Sequence, residues 1–485
     1  MRLAIEGEPG MAPAERIAPS DRPKVGDPGS SRVNRSAIEV ILFLSAFAIF
    51  VIFGLHGMTD AKYSMLVSEN LLRHHSVAIQ DGTIPRMQPS ANPEYKTNGY
   101  PYQMELNRGR VLYAYPIGSS VLSLPFVALM NAFGISALDA EGHYDEAGEQ
   151  IIQEALAAVL MAALTIVFFR TALLLLPLSW SAVLAVGGVY STQIWSTASR
   201  VLWSHTWEIF LLSVAAYILL GAEERQVRGR PVILATVLAW AYFVRPTSSI
   251  PIAAISAYLL IFRRGEFIAL ARTGAVWLFL FMVYSWKVSG QPLPSYYLFH
   301  LSSRHVLEAV LGNLISPSRG LFVYVPASLF VLLLVAYYWR TLKHGSLAIL
   351  SLGVIVVHTL VVSTDPNWWG GHCYGARLTI DVIPWFFLLA VLGSSSLRLE
   401  PRSRLKSSAM ALGLFTLIVG AAINGHGALS NSANDWVNGP PDDVDRMPAR
   451  VWDWSHPQFL SQRDDDNIIC FLYGADRSEE FFTKR

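Results

Sequence analysis

The sequence predicts an all-α integral membrane protein of about eleven transmembrane helices, with a long first extracytoplasmic loop that carries re-entrant or juxtamembrane helices. Three observations predict it. Of 485 residues, 53% are hydrophobic and only 15% charged, and the mean hydropathy is +0.38, whereas soluble domains carry about a quarter charged residues. The apolar residues gather in repeated blocks, and a helix needs about 20 residues to cross the hydrocarbon core. The basic residues concentrate in alternate loops between blocks, as the positive-inside rule requires. A net charge of +1 gives no bias toward nucleic acid. Two cysteines, Cys373 and Cys470, exclude a disulfide framework or a cysteine-based zinc module.

Residues 1–37, rich in Pro, Gly, Ser and mixed charge, read as a disordered cytoplasmic tail. The first apolar block, 38–55, follows six Lys/Arg and lacks a small-residue cleavage site, so it reads as a retained anchor. Further blocks lie at about 151–176, 180–198, 203–221, 231–244, 249–262, 273–289, 320–339, 346–363, 378–393 and 408–424. The segment 111–133 is apolar but broken by Pro116, Gly118 and Pro125. Twelve Lys/Arg in four later loops, from Arg225 to Lys406, share the side of the basic tail only if 111–133 does not cross. It is therefore expected as a re-entrant or interfacial helix within a loop spanning 56–150. The polytopic membrane domain covers 38–424, the short pair 231–262 allows a helical hairpin, and 425–485 follows as an extracytoplasmic segment with Trp436, Trp452, Trp454 and an acidic run at 464–466.

This topology gathers the polar residues on the outer face. His56 to Tyr63, with Asp60, follows the first span; Tyr113-Ala-Tyr-Pro-Ile-Gly118 opens the re-entrant segment. Arg200 and His205 stand between two spans, and Arg245 between the short ones. The loop 290–319 holds Tyr296, Tyr297, His300, Arg304, His305 and Arg319; Asp365-Pro-Asn-Trp-Trp-Gly-Gly-His-Cys-Tyr-Gly-Ala-Arg377 joins two later spans. A cation at this border either snorkels or serves a site, and Trp or Tyr either forms an interfacial belt or stacks on a ligand. Asp60 reads as a helix cap or as a base. Paired glycines admit a close ligand, and guanidinium groups fork onto phosphate. One carboxylate among several Arg and His suits a phosphorylated donor and a hydroxyl to be deprotonated. HExxH, CxxC, GxSxG and a Gly-rich phosphate loop are all missing, which argues against a zincin, a P-loop pump and a serine hydrolase.

The order of these blocks over about 38–400 resembles the GT-C superfamily of polytopic glycosyltransferases, in particular bacterial relatives of the dolichyl-phosphate-mannose–protein mannosyltransferases. Thr59-Asp60-Ala-Lys-Tyr63 stands where those proteins carry an acidic motif after the first span. Tyr115-Pro-Ile-Gly-Ser-Ser-Val-Leu-Ser-Leu-Pro125 resembles their Pro-Pro-Leu segment without its second Pro. Leu202-Trp-Ser-His-Thr206, Ser318-Arg-Gly-Leu-Phe322 and Trp369-Gly-Gly-His-Cys-Tyr-Gly-Ala-Arg377 resemble recurring blocks. The second acidic residue usual beside the first is absent, because Ala61 and Lys62 follow Asp60; Glu154 or Asp365 is a candidate to complete the site.

The resemblance implies transfer of a hexose or pentose from a polyprenyl-phosphate carrier, with inversion, to a glycan, lipid or protein acceptor on the outer face of a bacterial plasma membrane. Asp60 is the expected general base. Arg377 and Arg319 lead as donor-phosphate clamps, with Arg200, His205 and Arg245 as second choices. Lys62, Tyr63, Trp368, Trp369 and His372 are the expected sugar or acceptor contacts. The scheme needs no cofactor and is compatible with a divalent metal; the partners are the lipid donor, the acceptor and membrane lipids, not nucleic acid. The rival class is a transporter or flippase of lipid-linked saccharides, which often shows internal repeats and broken helices; no repeat relates the two halves here. A lipid phospho-group or acyl transferase would need a nucleophile with metal ligands or a buried His-Asp pair, and neither stands out in the sequence. A Cys373–Cys470 disulfide is permitted by the topology.

Overall fold

A computed structural model describes residues 28–52, 59–84, 86, 99–226, 230–298 and 305–461. Residues 1–27, His56, Arg228, His300, Arg304, the acidic run 464–466 and Cys470 lie outside the described residues, and so does the Cys373–Cys470 pairing.

The chain is an all-α integral membrane protein. Helix α1 (Pro28–Ile52) begins ahead of the first apolar block, in sequence expected as coil, and Arg35 and Glu39, one turn apart, pair along it. Helix α2 (Ser64–His74) follows, then a hairpin of β1 (Met104–Asn107) and β2 (Arg110–Tyr113), then α3 (Gly118–Ala132). The hairpin pairs Met104 with Tyr113 and Asn107 with Arg110 across a two-residue turn. Both turn residues, Arg108 and Gly109, have positive φ, the geometry that matches strand twist in tight hairpins. It went unpredicted because the strands are only four residues long. At 15 residues α3 is too short for a full crossing; it packs on α2 and on α4 (Glu146–Leu173).

Each remaining block is mostly helical over its described residues. In order come α5 (Leu178–Tyr190), a π-helical turn Ile194–Ala198, α6 (Ser204–Glu223), α7 (Pro231–Val244), α8 (Ser249–Phe262) and α9 (Arg264–Ser289). Then follow α10 (Val306–Ile315), α11 (Leu321–Tyr324), α12 (Pro326–Tyr337) and α13 (Gly345–Val362). The chain continues through α14 (Ile383–Leu399), α15 (Arg404–Leu429) and α16 (Asn431–Asp435). The last spans are preceded or followed by 3₁₀ turns, of which Arg377–Val382 leads directly into α14. Seven helices among the described residues are long and apolar enough to cross a membrane, and six shorter apolar helices accompany them.

The stretch Arg377–Leu399 lies at the centre with 89% of its most apolar window buried, whereas α1, α9 and α15 lie at the edge. Those edge helices expose Ile41, Phe279, Leu280, Phe415 and Ile418. Such apolar exposure would be an aggregation hazard in water, and lipid removes the hazard. The short pair does not close on itself: α7 packs on α6 and α9, and α8 on α9 and α13. The described part of the C-terminal segment runs to residue 461. Its Trp436, Val437, Val444 and Val451 form a small core with Trp368 and Ala309.

Candidate active site

The loop carrying Asp60 is held from both sides. Glu149, buried on α4, accepts the backbone N–H groups of Tyr63 (2.9 Å) and Met65 (2.7 Å), taking up donors that the start of α2 leaves unpaired. Gln153, one turn on, donates to the Ala61 carbonyl at 2.9 Å, and Gln103 beside the hairpin donates to the Thr59 carbonyl at 3.0 Å. Tyr63 sits in the left-handed region (φ 71°) with its ring against Tyr144. Glu149, Gln153 and Gln103 thus hold the backbone on either side of Asp60.

The Asp60 carboxylate faces a small pocket of about 30 Å³ lined in part by Tyr115, Trp203, Arg245, Tyr296 and Arg377. Its Oδ2 accepts from Arg377 Nη2 at 2.7 Å; its Oδ1 accepts from the hydroxyls of Tyr115 (3.1 Å) and Tyr102 (3.3 Å). Tyr113, at the end of β2, donates to the Asp60 carbonyl at 2.7 Å. Burial works to raise the Asp60 carboxyl, but the Arg377 charge and the hydrogen bonds from Arg377, Tyr115 and Tyr102 hold it below the ordinary aspartate value. Burial and the Asp60 charge push the Tyr115 phenol well up, so it stays a donor.

Arg377 sits over Trp203, with its guanidinium carbon 3.8 Å from a ring centroid, and its Nε is buried without a partner. Two residues earlier Gly375 adopts φ +64°, and a Cβ there would meet the Tyr324 ring at 2.5 Å, so only glycine lets the chain turn Arg377 inward. Arg245 enters from the junction of α7 and α8. Its Nε lies 3.0 Å from Asp381 Oδ2 and 3.2 Å from Glu208 Oε2, and its Nη1 donates to Ser204 Oγ at 3.2 Å.

Of the residues expected from the sequence, Asp60, Arg377 and Arg245 thus meet in one pocket, and the others lie elsewhere. His205 lies behind it, with Nδ1 2.5 Å from Asp381 Oδ1. Arg319, expected as a leading clamp, is buried and spends its donors on the carbonyls of Ser318, Trp369 and Gly371 and on Gln458 Oε1. It ties three segments together and has no face on the pocket. Arg200 is 1% exposed, donates Nε to the Trp195 carbonyl and leaves both Nη atoms unpartnered, away from the pocket lining.

The expected sugar contacts are placed away from the pocket as well. Lys62 turns out to Glu146 at 2.6 Å, and Tyr63 is packed under the loop. Trp368 is buried in the C-terminal core; Trp369 donates its Nε1 to Asp445 at 2.7 Å, and His372 lies 3.0 Å from Asp443. Contacts with the C-terminal segment, apolar for Trp368 and a hydrogen bond for Trp369, are absent from any local pattern. Glu154 accepts from Gln150, and Asp365 caps its own turn at the Asn367 N–H, so neither adds a second carboxylate to the pocket.

Sequence reasoning missed Tyr115 as an Asp60 partner, and Asp381 and Glu208 altogether. The signal was present: each acid lies inside an apolar block, where an ionisable residue is a functional hypothesis by default. Two groups among the described residues have the donor set for a metal ion, His205/Glu208/Asp381 and His372/Asp443/Asp445, each with ligand atoms within 4.8 Å of one another. In the first, the Arg245 guanidinium already bridges the two carboxylates.

No protein-family model matches the chain, and no curated protein matches it. Among solved structures it is similar to the crystal structure of ArnT from Cupriavidus metallidurans bound to undecaprenyl phosphate. The identity is 11%, the match covers 90% of this chain and 76% of that one, and the TM-score is 0.44.

Proposed function

We propose that this chain is a membrane glycosyltransferase that moves a sugar from a polyprenyl-phosphate carrier to an acceptor hydroxyl on the extracytoplasmic face. The observation that carries the proposal is the meeting of one carboxylate, Asp60, with two arginines, Arg377 and Arg245, in a single pocket walled by Trp203, Tyr115 and Tyr296. The order of sequence blocks that resembles the GT-C superfamily supports it.

The chemistry follows from the charges. A sugar on a lipid phosphate is already activated, because the departing phosphate is a stable anion. The enzyme has to remove a proton from the acceptor and stabilise charge on the leaving group. Paired at 2.7 Å, Arg377 neutralises Asp60, which makes the carboxylate a poor base. A donor phosphate offers Arg377 a second anion, and as the guanidinium turns toward it Asp60 gains basicity and room. Donor binding thus precedes activation of the base. A pocket of about 30 Å³ holds roughly one water, so the same movement must open it for a sugar. Attack from the Asp60 side, opposite the phosphate held by the arginines, inverts the anomeric carbon.

The test supplies purified protein with polyprenyl-phosphate sugars and follows release of polyprenyl phosphate. Asp60→Asn should lower turnover by about 10²–10⁴, the usual contribution of a general base, while donor binding is kept or strengthened because Arg377 is freed. Normal transfer by the variant would remove Asp60 from the mechanism. Movement of intact donor across vesicles without its cleavage would instead make the chain a flippase.

A further inference from the structure

We infer that Asp381 is a positioning residue that makes Arg245 a fixed cation of the pocket, in contrast to the displaceable Arg377. The inference rests on the reading that this pocket takes a lipid-phosphate sugar donor.

Asp381 lies one turn beyond Arg377 in the 3₁₀ turn Arg377–Val382 and is 2% exposed. One oxygen faces His205 Nδ1 at 2.5 Å. The other accepts from Arg245 Nε at 3.0 Å and lies 3.7 Å from His358 Nε2, which itself donates to the Leu378 carbonyl. Glu208 closes the far side: Oε2 is 3.2 Å from Arg245 Nε, and Oε1 accepts from Ser248 Oγ at 2.5 Å. His205, Glu208, His358, Asp381 and Arg245 are all buried.

A cluster like this is a poor way to hold helices together, because apolar side chains of similar volume usually stabilise as well or better. What it does provide is a guanidinium whose position is set by two carboxylates and a serine. Arg245 cannot swing to an incoming phosphate without withdrawing the guanidinium from two buried acids, leaving Asp381 to its histidines and Glu208 to Ser248. Arg377 is held differently: its carboxylate partner is Asp60, which keeps 30% of its side chain exposed, and its other support is the face of Trp203. The two arginines therefore divide the work. Arg377 exchanges Asp60 for the donor, and Arg245 presents a charge already in place when negative charge develops on the leaving phosphate. A cation that needs no reorganisation is the effective kind in a transition state. The same geometry explains why His205, Glu208 and Asp381 have a metal-like donor set: their cation is Arg245.

The test is a double-mutant cycle of Asp381→Asn and Arg245→Lys in full-length protein in detergent, with kcat, KM and thermal melting for each variant. Asp381→Asn should lower kcat by about 10²-fold, the scale for losing one preorganised donor, with KM changed by less than about threefold. Asp381→Glu should recover a substantial part of that loss. The double variant should be no slower than Arg245→Lys alone, because Asp381 acts through Arg245. Independent, multiplying losses would overturn the inference, as would wild-type kcat in a folded Asp381→Asn protein. If Asp381→Asn does not fold, Glu208→Gln replaces it in the cycle with the same expected coupling. If the wild type cleaves no polyprenyl-phosphate sugar, the donor reading falls by itself. The cycle is then read from binding of polyprenyl phosphate, where coupling supports the fixed-cation role and its absence overturns it.

Discussion

Arg377 Nη2 donates to Asp60 Oδ2 at 2.7 Å across 317 residues of sequence. One ion pair thereby joins the loop after the first span to the turn that opens α14. Its other face rests on Trp203.

Trp203→Ala removes that face. A cation–π contact contributes about 0.5–2 kcal/mol, so affinity for a polyprenyl-phosphate donor should fall by about 2- to 30-fold. Equilibrium binding to the detergent-solubilised protein measures it. Unchanged affinity would mean that Arg377 reaches the donor without that support.

If Asp60 is the base, the acid limb of the pH dependence of kcat/KM reports it as it stands in the free enzyme, paired with Arg377. Its folded-state pKa is depressed, so the base stays ionised below about pH 3.9, the unperturbed aspartate value, and activity is lost only as pH falls further. The sign for stability is the same: the Asp60–Arg377 pair contributes fully above the unfolded pKa, and its contribution disappears as pH falls through the folded one. Tyr115→Phe removes one hydrogen bond to the carboxylate and should move the acid limb upward. A downward shift would contradict the assignment.

Glu149→Ala should be a stability lesion. It leaves the buried N–H groups of Tyr63 and Met65 without acceptors, at about 1–3 kcal/mol each. A lower melting temperature is expected, together with lost turnover, since the same loop carries Asp60. Full stability would show that water replaces the carboxylate.

Gln458→Leu tests the C-terminal segment. Gln458 Oε1 accepts from Arg319 Nη1 (2.7 Å) and the Gly375 N–H (3.1 Å), and its Nε2 donates to the carbonyls of Cys373 and Ala433. Leucine would leave four buried groups short of a partner, a loss of several kcal/mol at about 1–3 kcal/mol per group. Limited proteolysis should then cut within 430–461, where the wild type resists. Because Gly375 lies two residues before Arg377, donor affinity should fall with it.

The apolar blocks were legible because crossing a membrane is a local demand: enough apolar residues in a row, with every backbone group satisfied inside its own helix; against about eleven expected spans, seven described helices are long and apolar enough to meet it. Asp60 and Arg245 were legible for a related reason, since polar residues at the ends of apolar blocks stand out against so little charge. Arg319 and Arg377 looked alike in the same light, each beside glycine or small residues. One proved to be a buried tie to Gln458, the other the partner of Asp60. Trp368 and Trp369 were drawn toward a ligand role by their glycine neighbours, while their actual partners, Trp436 and Asp445, come from a segment with no span-like pattern.

Composition and block order by themselves determined a polytopic helical membrane protein with its few charges at the helix ends. Tertiary structure alone decided which charges share a pocket. Asp60 meets Arg377 from 317 residues away, and Arg245 meets Asp381 from 136. Such pairings depend on how each helix is rotated and packed against its neighbours, and no local window of sequence holds that information.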